Sequence, residues 1–149
     1  MPDPSVLAEG EYEAMLVSCI DPRFIEHCAG YMAGRGLNGH YSQLMIAGAG
    51  LAAVAPEFRT WRAAFWDNVG TSLRLHHIKK LIVLDHRDCG AAKLAYGEAS
   101  IADPRVETET HRRVLAALAQ QLSWRLPSLE IEAGLMEPDG AVHMFNRLR

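Results

Sequence analysis

The sequence predicts an α/β fold in which helices cover a mostly parallel sheet. The main observation is that short apolar runs typical of buried strands alternate with longer segments of helical periodicity. Polar, glycine or proline residues close each apolar run at the length of a strand. The last two strand-like segments flank Pro138, Asp139 and Gly140, which are typical of a turn, so we expect the final strand to be antiparallel.

Five segments have the character of strands. Residues 14–20 and 43–47 are mostly apolar, and they end at Asp21-Pro22 and at a glycine-rich stretch, respectively. Residues 80–84 form the clearest run, because every residue after the first is a branched aliphatic one. Residues 128–133 alternate polar and apolar side chains, and residues 141–145 follow the turn as the fifth strand.

Two longer segments have the periodicity of amphipathic helices. In the first, an apolar residue recurs at every fourth position, at Trp61, Phe65, Val69 and Leu73. The second covers residues 106–125, with Asp103 as its predicted cap and Pro104 at its first position. Its predicted buried stripe consists of Val114, Leu115, Leu118 and Leu122. Residues 24–41 are predicted to form a helix-and-loop excursion near the mouth of a pocket.

Composition and charge indicate a soluble, single-domain protein over residues 1–149, with a short N-terminal arm at residues 1–10. The net charge is −3 and no basic block occurs, so neither nucleic acid nor a membrane is an expected partner. The chain begins without the basic and apolar regions of a signal peptide, which favours a cytoplasmic location. Three cysteines, an odd number, argue against a disulfide framework and direct attention to metal binding.

Two short motifs carry the chemistry. Residues 19–23 read Cys-Ile-Asp-Pro-Arg after the first strand, and residues 86–90 read His-Arg-Asp-Cys-Gly after the third. Sites in open α/β sheets form beyond the carboxyl ends of strands, where the winding direction reverses. If the first and third strands are neighbours, Cys19 therefore meets His86 and Cys89.

Two thiolates and one imidazole form a three-ligand set that suits Zn²⁺ and leaves one coordination position open, as in catalytic sites. Cys89 should stand at the start of a short helix over residues 91–96, whose N-terminus favours a thiolate. Alternate residues of an extended segment point the same way, so Asp21 and Arg23 can converge with Cys19. Arg23 would keep Asp21 ionised. Asp21 could then orient a zinc-bound water or ligate the metal directly.

Together, the Cys-x-Asp-x-Arg and His-x-x-Cys-Gly segments resemble the signature of the β-class carbonic anhydrases. The resemblance extends from about Met15 to Phe145. It implies a three-layer α/β/α fold with four parallel strands and an antiparallel fifth, assembled as a homodimer or higher homo-oligomer. It also implies reversible hydration of CO₂ to bicarbonate by a zinc-bound hydroxide. Metal-ligand roles then pass to Cys19, His86 and Cys89, and the catalytic dyad is Asp21 with Arg23.

The sequence departs from that family at four places, one of which is the unusual length of residues 24–41. The second strand usually leads into an Arg-Asn-Ala-Gly type segment, whereas residues 47–50 here read Ala-Gly-Ala-Gly. Asp85 stands where the family usually has a glycine before the ligand histidine, and the N-terminal arm is short. These departures leave open a second activity, the hydrolysis of carbonyl sulfide or carbon disulfide at the same zinc site. A zinc-binding protein without catalysis is the third hypothesis.

Simpler interpretations apply to several of these residues. Cys19 and Cys89 could be ordinary buried cysteines, and Asp21 with Arg23 could form a structural salt bridge. Cys28 has no spacing partner, so we expect it in the core or in a loop. His40, His111 and His143 are expected to be solvated or locally bonded.

Overall fold

The computed structural model describes residues 9–146 and residue 148, and its centre is a five-stranded sheet. The strands are Ala14–Ser18 (β1), Tyr41–Met45 (β2), Lys80–His86 (β3), Glu130–Met136 (β4) and Val142–Phe145 (β5). Their order in the sheet is β2-β1-β3-β4-β5. Strands β1 to β4 run parallel, and β5 pairs antiparallel with β4. The predicted α/β fold and its antiparallel last strand are confirmed.

Helices connect the strands and pack on the sheet. They are Ile25–Gly34 (α1), Leu51–Val54 (α2), Arg62–His76 (α3), Gly90–Tyr96 (α4) and Pro104–Arg125 (α5). Two 3₁₀ turns span Pro56–Trp61 and Glu98–Ile101. In the part of the chain that the structure describes, none of the helices has both the length and the apolar character that crossing a membrane requires.

The strand boundaries differ from the predicted ones by a few residues. β1 ends at Ser18, so Cys19 lies just beyond the strand. β2 begins at Tyr41, because Tyr41 pairs with the first residue of β1 and the two strands stay in register to their ends. β4 continues to Met136 because β3 runs on to His86, which is its partner. Pairing with a neighbouring strand therefore sets these boundaries more than local polarity does.

The two faces of the sheet are covered unequally. The larger core cluster lies on the side of α2, α3 and α5 and includes Phe65 and Leu115, both fully buried. The smaller cluster contains Cys28 and Met32 of α1, packed with residues of β1 and β3 such as Ile82. The predicted Cys28 in the core is confirmed. Because parallel strands are buried on both faces, all of β1 is buried.

Helix α5 begins and ends where the sequence predicted. The Asp103 carboxylate accepts the backbone N–H groups of Arg105 at 2.7 Å and Val106 at 3.3 Å, and Pro104 occupies the first turn. Arg125 is the last helical residue, two positions before Pro127. All four residues of the predicted stripe are buried.

The segment over residues 24–41 does form a helix and a loop. α1 is followed by a loop in which Gly36 and Gly39 have positive φ angles, +73° and +78°. Phe24, Cys28 and Met32 pack in the smaller core cluster, and Arg23, which immediately precedes the segment, lines a pocket. Most of the predicted N-terminal arm lies outside the described residues, but Gly10 donates its backbone N–H to the carbonyl of Leu75 at 3.2 Å.

Candidate metal centre

Three predicted ligands come together at the carboxyl ends of β1 and β3. The two strands are parallel neighbours in which Ser18 pairs with Leu84, so both end at the same edge of the sheet. Cys19 follows β1, His86 is the last residue of β3, and Cys89 is the cap of α4. Their ligand atoms all lie within 4.8 Å of one another, and all three residues are buried.

The His86 ring is held with one nitrogen free for a metal. Its Nδ1 lies 2.7 Å from the backbone carbonyl of Arg87, which can only accept, so Nδ1 carries the proton. The ring stacks on Phe24 with 4.1 Å between centroids. Among the described residues, Nε2 has no hydrogen-bond partner although it is buried. A lone pair held in this way is typical of a metal-ligating histidine.

The two sulfur atoms shift each other's pKa in opposite directions. A hydrogen bond from Cys89 lowers the pKa of Cys19 to about 4 against the effect of burial, and the backbone N–H of Gly48, 3.3 Å from the sulfur, contributes further. The same hydrogen bond and burial raise the pKa of Cys89. A divalent cation would stabilise both thiolates at once, and sulfur and imidazole donors suit Zn²⁺. The donor set therefore fits zinc.

Asp21 and Arg23 form the predicted ion pair beside these ligands. Arg23 donates through one terminal nitrogen to Oδ2 of Asp21 at 2.7 Å and through Nε to Oδ1 at 3.1 Å. These hydrogen bonds lower the pKa of Asp21 to about 2. Oδ2 of Asp21 also lies 3.8 Å from Nε2 of His86. The carboxylate is thus ionised and close to the candidate ligands.

The backbone that brings Asp21 and Arg23 together is a turn, so the predicted extended segment is wrong. The N–H of Phe24 bonds to the carbonyl of Asp21 at 3.1 Å, and the Asp21 carboxylate accepts the N–H of Arg23 at 2.9 Å. Aspartate followed by proline favours such a turn, because the side chain caps the backbone and Pro22 fixes φ.

A pocket of about 540 Å³ opens beside Cys19, Asp21 and Arg23. Phe58 and Trp61 stack in parallel, 4.5 Å apart, and both line it. Trp61 thus lies in a 3₁₀ turn at the pocket instead of starting the helical stripe. The rest of the lining is mostly apolar and consists of Ile20, Pro22, Ala47, Gly90, Ala91 and Leu94.

Two proteins of Rickettsia are similar to this chain in sequence. An uncharacterized protein of Rickettsia bellii is 32% identical over 135 residues, covering 91% of this chain and 82% of the relative. An uncharacterized protein of Rickettsia conorii is 30% identical over 135 residues, covering 91% and 73%. The chain belongs to the same family as these two proteins. No protein-family model matches it.

Solved structures decide the fold. The β-carbonic anhydrase CafA of Aspergillus fumigatus covers 96% of this chain with a TM-score of 0.60 at 15% identity, over 79% of its own length. A Coccomyxa β-carbonic anhydrase in complex with acetazolamide covers 95% at 0.60 and 15% identity, over 75% of its length. This chain has the β-carbonic anhydrase fold. A tetrameric β-carbonic anhydrase of Sordaria macrospora agrees, with 96% and 83% coverage, a TM-score of 0.57 and 12% identity.

Within the β-carbonic anhydrase fold, a buried polar pair that the sequence pattern did not predict lies next to the candidate ligands. His111 was expected to be solvated or locally bonded, but it is fully buried and bonds to Asp85, 26 residues away, at 2.7 Å. Glu107, one turn earlier on α5, is also buried. Both positions continue the apolar stripe of α5 towards its N-terminus, and that spacing was the available signal.

Proposed function

We propose that this protein is a zinc-dependent carbonic anhydrase that catalyses the reversible hydration of CO₂ to bicarbonate. One observation carries the proposal: the ligand atoms of Cys19, His86 and Cys89 lie within 4.8 Å of one another. This group stands beside the Asp21–Arg23 ion pair at an apolar pocket, on a β-carbonic anhydrase fold.

The three candidate ligands would hold zinc through two sulfurs and Nε2 of His86. Zinc, when bound, supplies a Lewis acid that lowers the pKa of water from 15.7 to about 7. Three protein ligands leave one position for solvent. The hydrogen bond from Nδ1 of His86 to the Arg87 carbonyl keeps the imidazole in the ligating tautomer.

Asp21 orients the water that attacks CO₂. Both of its carboxylate oxygens accept hydrogen bonds from Arg23, which fixes the carboxylate and keeps it an acceptor. This engagement favours the dyad role over direct ligation of the metal by Asp21. CO₂ is linear and apolar, so it suits the pocket walls formed by residues such as Ala47, Phe58 and Trp61.

The test measures metal content and CO₂ hydration on one preparation. We expect about one zinc per chain and stopped-flow turnover in the wild type. Asp21→Asn and Arg23→Ala should retain zinc and lose at least about 10²-fold in turnover. Asp67→Asn, at an exposed position of α3, is the matched control and should keep full activity. Full activity in Asp21→Asn would contradict the dyad. If the wild type binds zinc but does not hydrate CO₂, the proposed activity is wrong and a non-catalytic zinc-binding protein is favoured.

Hydrolysis of carbonyl sulfide or carbon disulfide is the second candidate function. The apolar lining of the pocket favours it, because these substrates are also linear and apolar. The Ala-Gly-Ala-Gly segment at residues 47–50 adds no charged side chain at this edge. Sulfide release from carbonyl sulfide, measured beside CO₂ hydration, distinguishes the two activities.

We also propose a homo-oligomer in the cytoplasm. Two large apolar side chains at the pocket, Ile20 and Leu94, are 56% and 74% exposed, which is typical of surfaces that a second subunit covers. The Sordaria macrospora relative by fold is tetrameric. Light scattering should give a multiple of the chain mass, and a monomer would contradict the assembly.

The proposed cytoplasmic location rests on the three free cysteines, which suit a reducing compartment. Cell fractionation tests this location.

A further inference from the structure

Side chains of α5 bond to the segment that carries two of the candidate ligands. This ligand segment, residues 85–89, contains both His86 and Cys89. Glu107 and His111 lie one turn apart on α5 and face it. Glu107 is 5% exposed and His111 0%, so both are part of the protein interior.

Glu107 binds the carboxyl-terminal half of the ligand segment. Its Oε2 accepts the backbone N–H of Asp88 at 2.7 Å, and its Oε1 accepts from Arg87 at 3.3 Å. Arg87 is also held by Glu137 at 3.0 Å and by the Pro104 carbonyl at 2.9 Å, so the Asp88 bond is the contact that depends on Glu107. Asp88 has a φ of +53°, a conformation that needs such support.

The same contact reaches the Asp21–Arg23 pair. Arg23 donates to the Asp88 carboxylate at 3.1 Å and to the Asp88 carbonyl at 3.0 Å. Asp88 therefore connects Glu107 in the interior with Arg23 at the pocket. A shift of Asp88 would move both Cys89, its neighbour, and the guanidinium that orients Asp21.

His111 binds the amino-terminal end of the ligand segment. Its Nδ1 lies 2.7 Å from Oδ2 of Asp85, and the other oxygen of Asp85 accepts the N–H of Gly50 at 2.9 Å. Both side chains of the Asp85–His111 pair are fully buried. Asp85 immediately precedes His86, so its anchoring fixes the backbone from which the imidazole projects.

We propose that Glu107 and His111 are positioning residues that clamp the ligand segment at both ends and thereby set the geometry of the metal centre. Burying polar side chains in the α5 stripe costs free energy that an apolar pair of similar size would avoid. Glu107 bonds to Asp88 and His111 bonds to Asp85, so their contacts flank His86. Holding His86 in place is the function that would explain why these polar side chains are buried. The inference rests on the proposed zinc site and does not depend on which substrate the site uses.

The test uses zinc affinity and the absorption spectrum of the Co²⁺-substituted protein. Glu107→Met and His111→Leu remove the clamps at similar volume. We expect both variants to bind zinc about 10- to 100-fold more weakly and to change the Co²⁺ ligand-field bands. Glu107→Gln and His111→Asn keep an acceptor and a donor, respectively, and should restore much of the affinity.

Ser72→Ala is the matched control, because it also removes a buried, hydrogen-bonded polar group. Ser72 is 4% exposed on α3 and bonds to Ser42, away from the candidate ligands. It should lower stability and leave both readouts unchanged. Wild-type affinity and spectra in Glu107→Met would overturn the inference, even if His111→Leu fails to fold. A wild type without zinc would overturn the proposed function as well.

Discussion

At the scale of single residues, the chain contains its own control for the candidate ligands. Cys28 is buried like Cys19 and Cys89, but its sulfur packs 3.9 Å from that of Met136 in the smaller core cluster. Burial raises the pKa of Cys28 to about 11, so it remains a thiol. Cys19 and Cys28 are both buried, but the pKa of Cys19 is lowered and that of Cys28 is raised because their neighbours differ.

Substitution of the ligands should therefore separate metal binding from packing. Cys89→Ala and His86→Ala should lose bound zinc, because each removes one of three donors. Cys28→Ala should keep it and lose only packing free energy, about 1 kcal/mol. Zinc per chain, measured by elemental analysis after gel filtration, checks both results. Equal zinc content in all three variants would exclude this ligand set.

At the scale of elements, the start of α2 lies so close to α5 and β3 that a side chain there does not fit. A Cβ at Gly50 would lie 2.7 Å from Leu115, 3.1 Å from Asp85 and 3.3 Å from Val83. The backbone at Gly50 is helical, with φ −61°, so this glycine is needed for space and not for its backbone angles.

Gly50→Ala should therefore lower the free energy of unfolding by about 1–3 kcal/mol. Gly70→Ala is the control, because a Cβ there meets nothing within 4 Å in the interior of α3. It should raise stability by about 0.5–1 kcal/mol through helix propensity. Urea titration of the two variants gives both values, and a neutral Gly50→Ala would refute the steric argument.

An ion pair between Arg35, the C-cap residue of α1, and Glu132 holds the end of this helix against the sheet. Glu132 of β4 accepts from Arg35 at 2.6 Å and from Lys80 of β3 at 2.8 Å. Burial acts to raise the pKa of Glu132, but hydrogen bonds from Arg35 and Lys80 outweigh it, and the net pKa is lowered. A lowered pKa in the folded state means that the pair stabilises the fold above the unfolded pKa and loses this effect as pH falls.

Glu132→Gln should cost on the order of 1 kcal/mol at pH 7, where the carboxylate is ionised. The difference from the wild type should shrink as pH falls below the ordinary glutamate value of 4.5. Denaturant midpoints at neutral and acid pH measure it, with Glu57→Gln at an exposed turn as the control. A difference that does not change with pH would show that the charge is not responsible.

At the scale of the whole molecule, the candidate metal centre connects distant parts of the chain, so zinc should stabilise all of it. A ligand that binds only the folded state adds about 2.7 kcal/mol at a hundred times its Kd. We expect zinc to raise the Tm and a chelator to lower it again. Cys28→Ala should respond to zinc as the wild type does, whereas a zinc response in Cys89→Ala would contradict the site.

The long elements and the proximity of the three candidate ligands were predictable from the sequence, and the connections between elements were not. β3 and α5 have strong hydrophobic patterns. The two motifs follow neighbouring parallel strands, so the sequence alone predicted that Cys19 and His86 lie close together. α2 and the 3₁₀ turns are too short to show a period. The partner of His111 lies 26 residues away, and no local rule pairs a buried histidine with an aspartate at that distance.

The parallel pairing of β1 with β3 has a consequence for how the protein folds. The first candidate donor precedes β2, α2 and α3 in the chain, and the other two follow them. The arrangement of all three donors within 4.8 Å forms only when the long crossover has closed and the two strands lie side by side. Metal capture is therefore a late event: it should slow unfolding and leave the refolding rate unchanged.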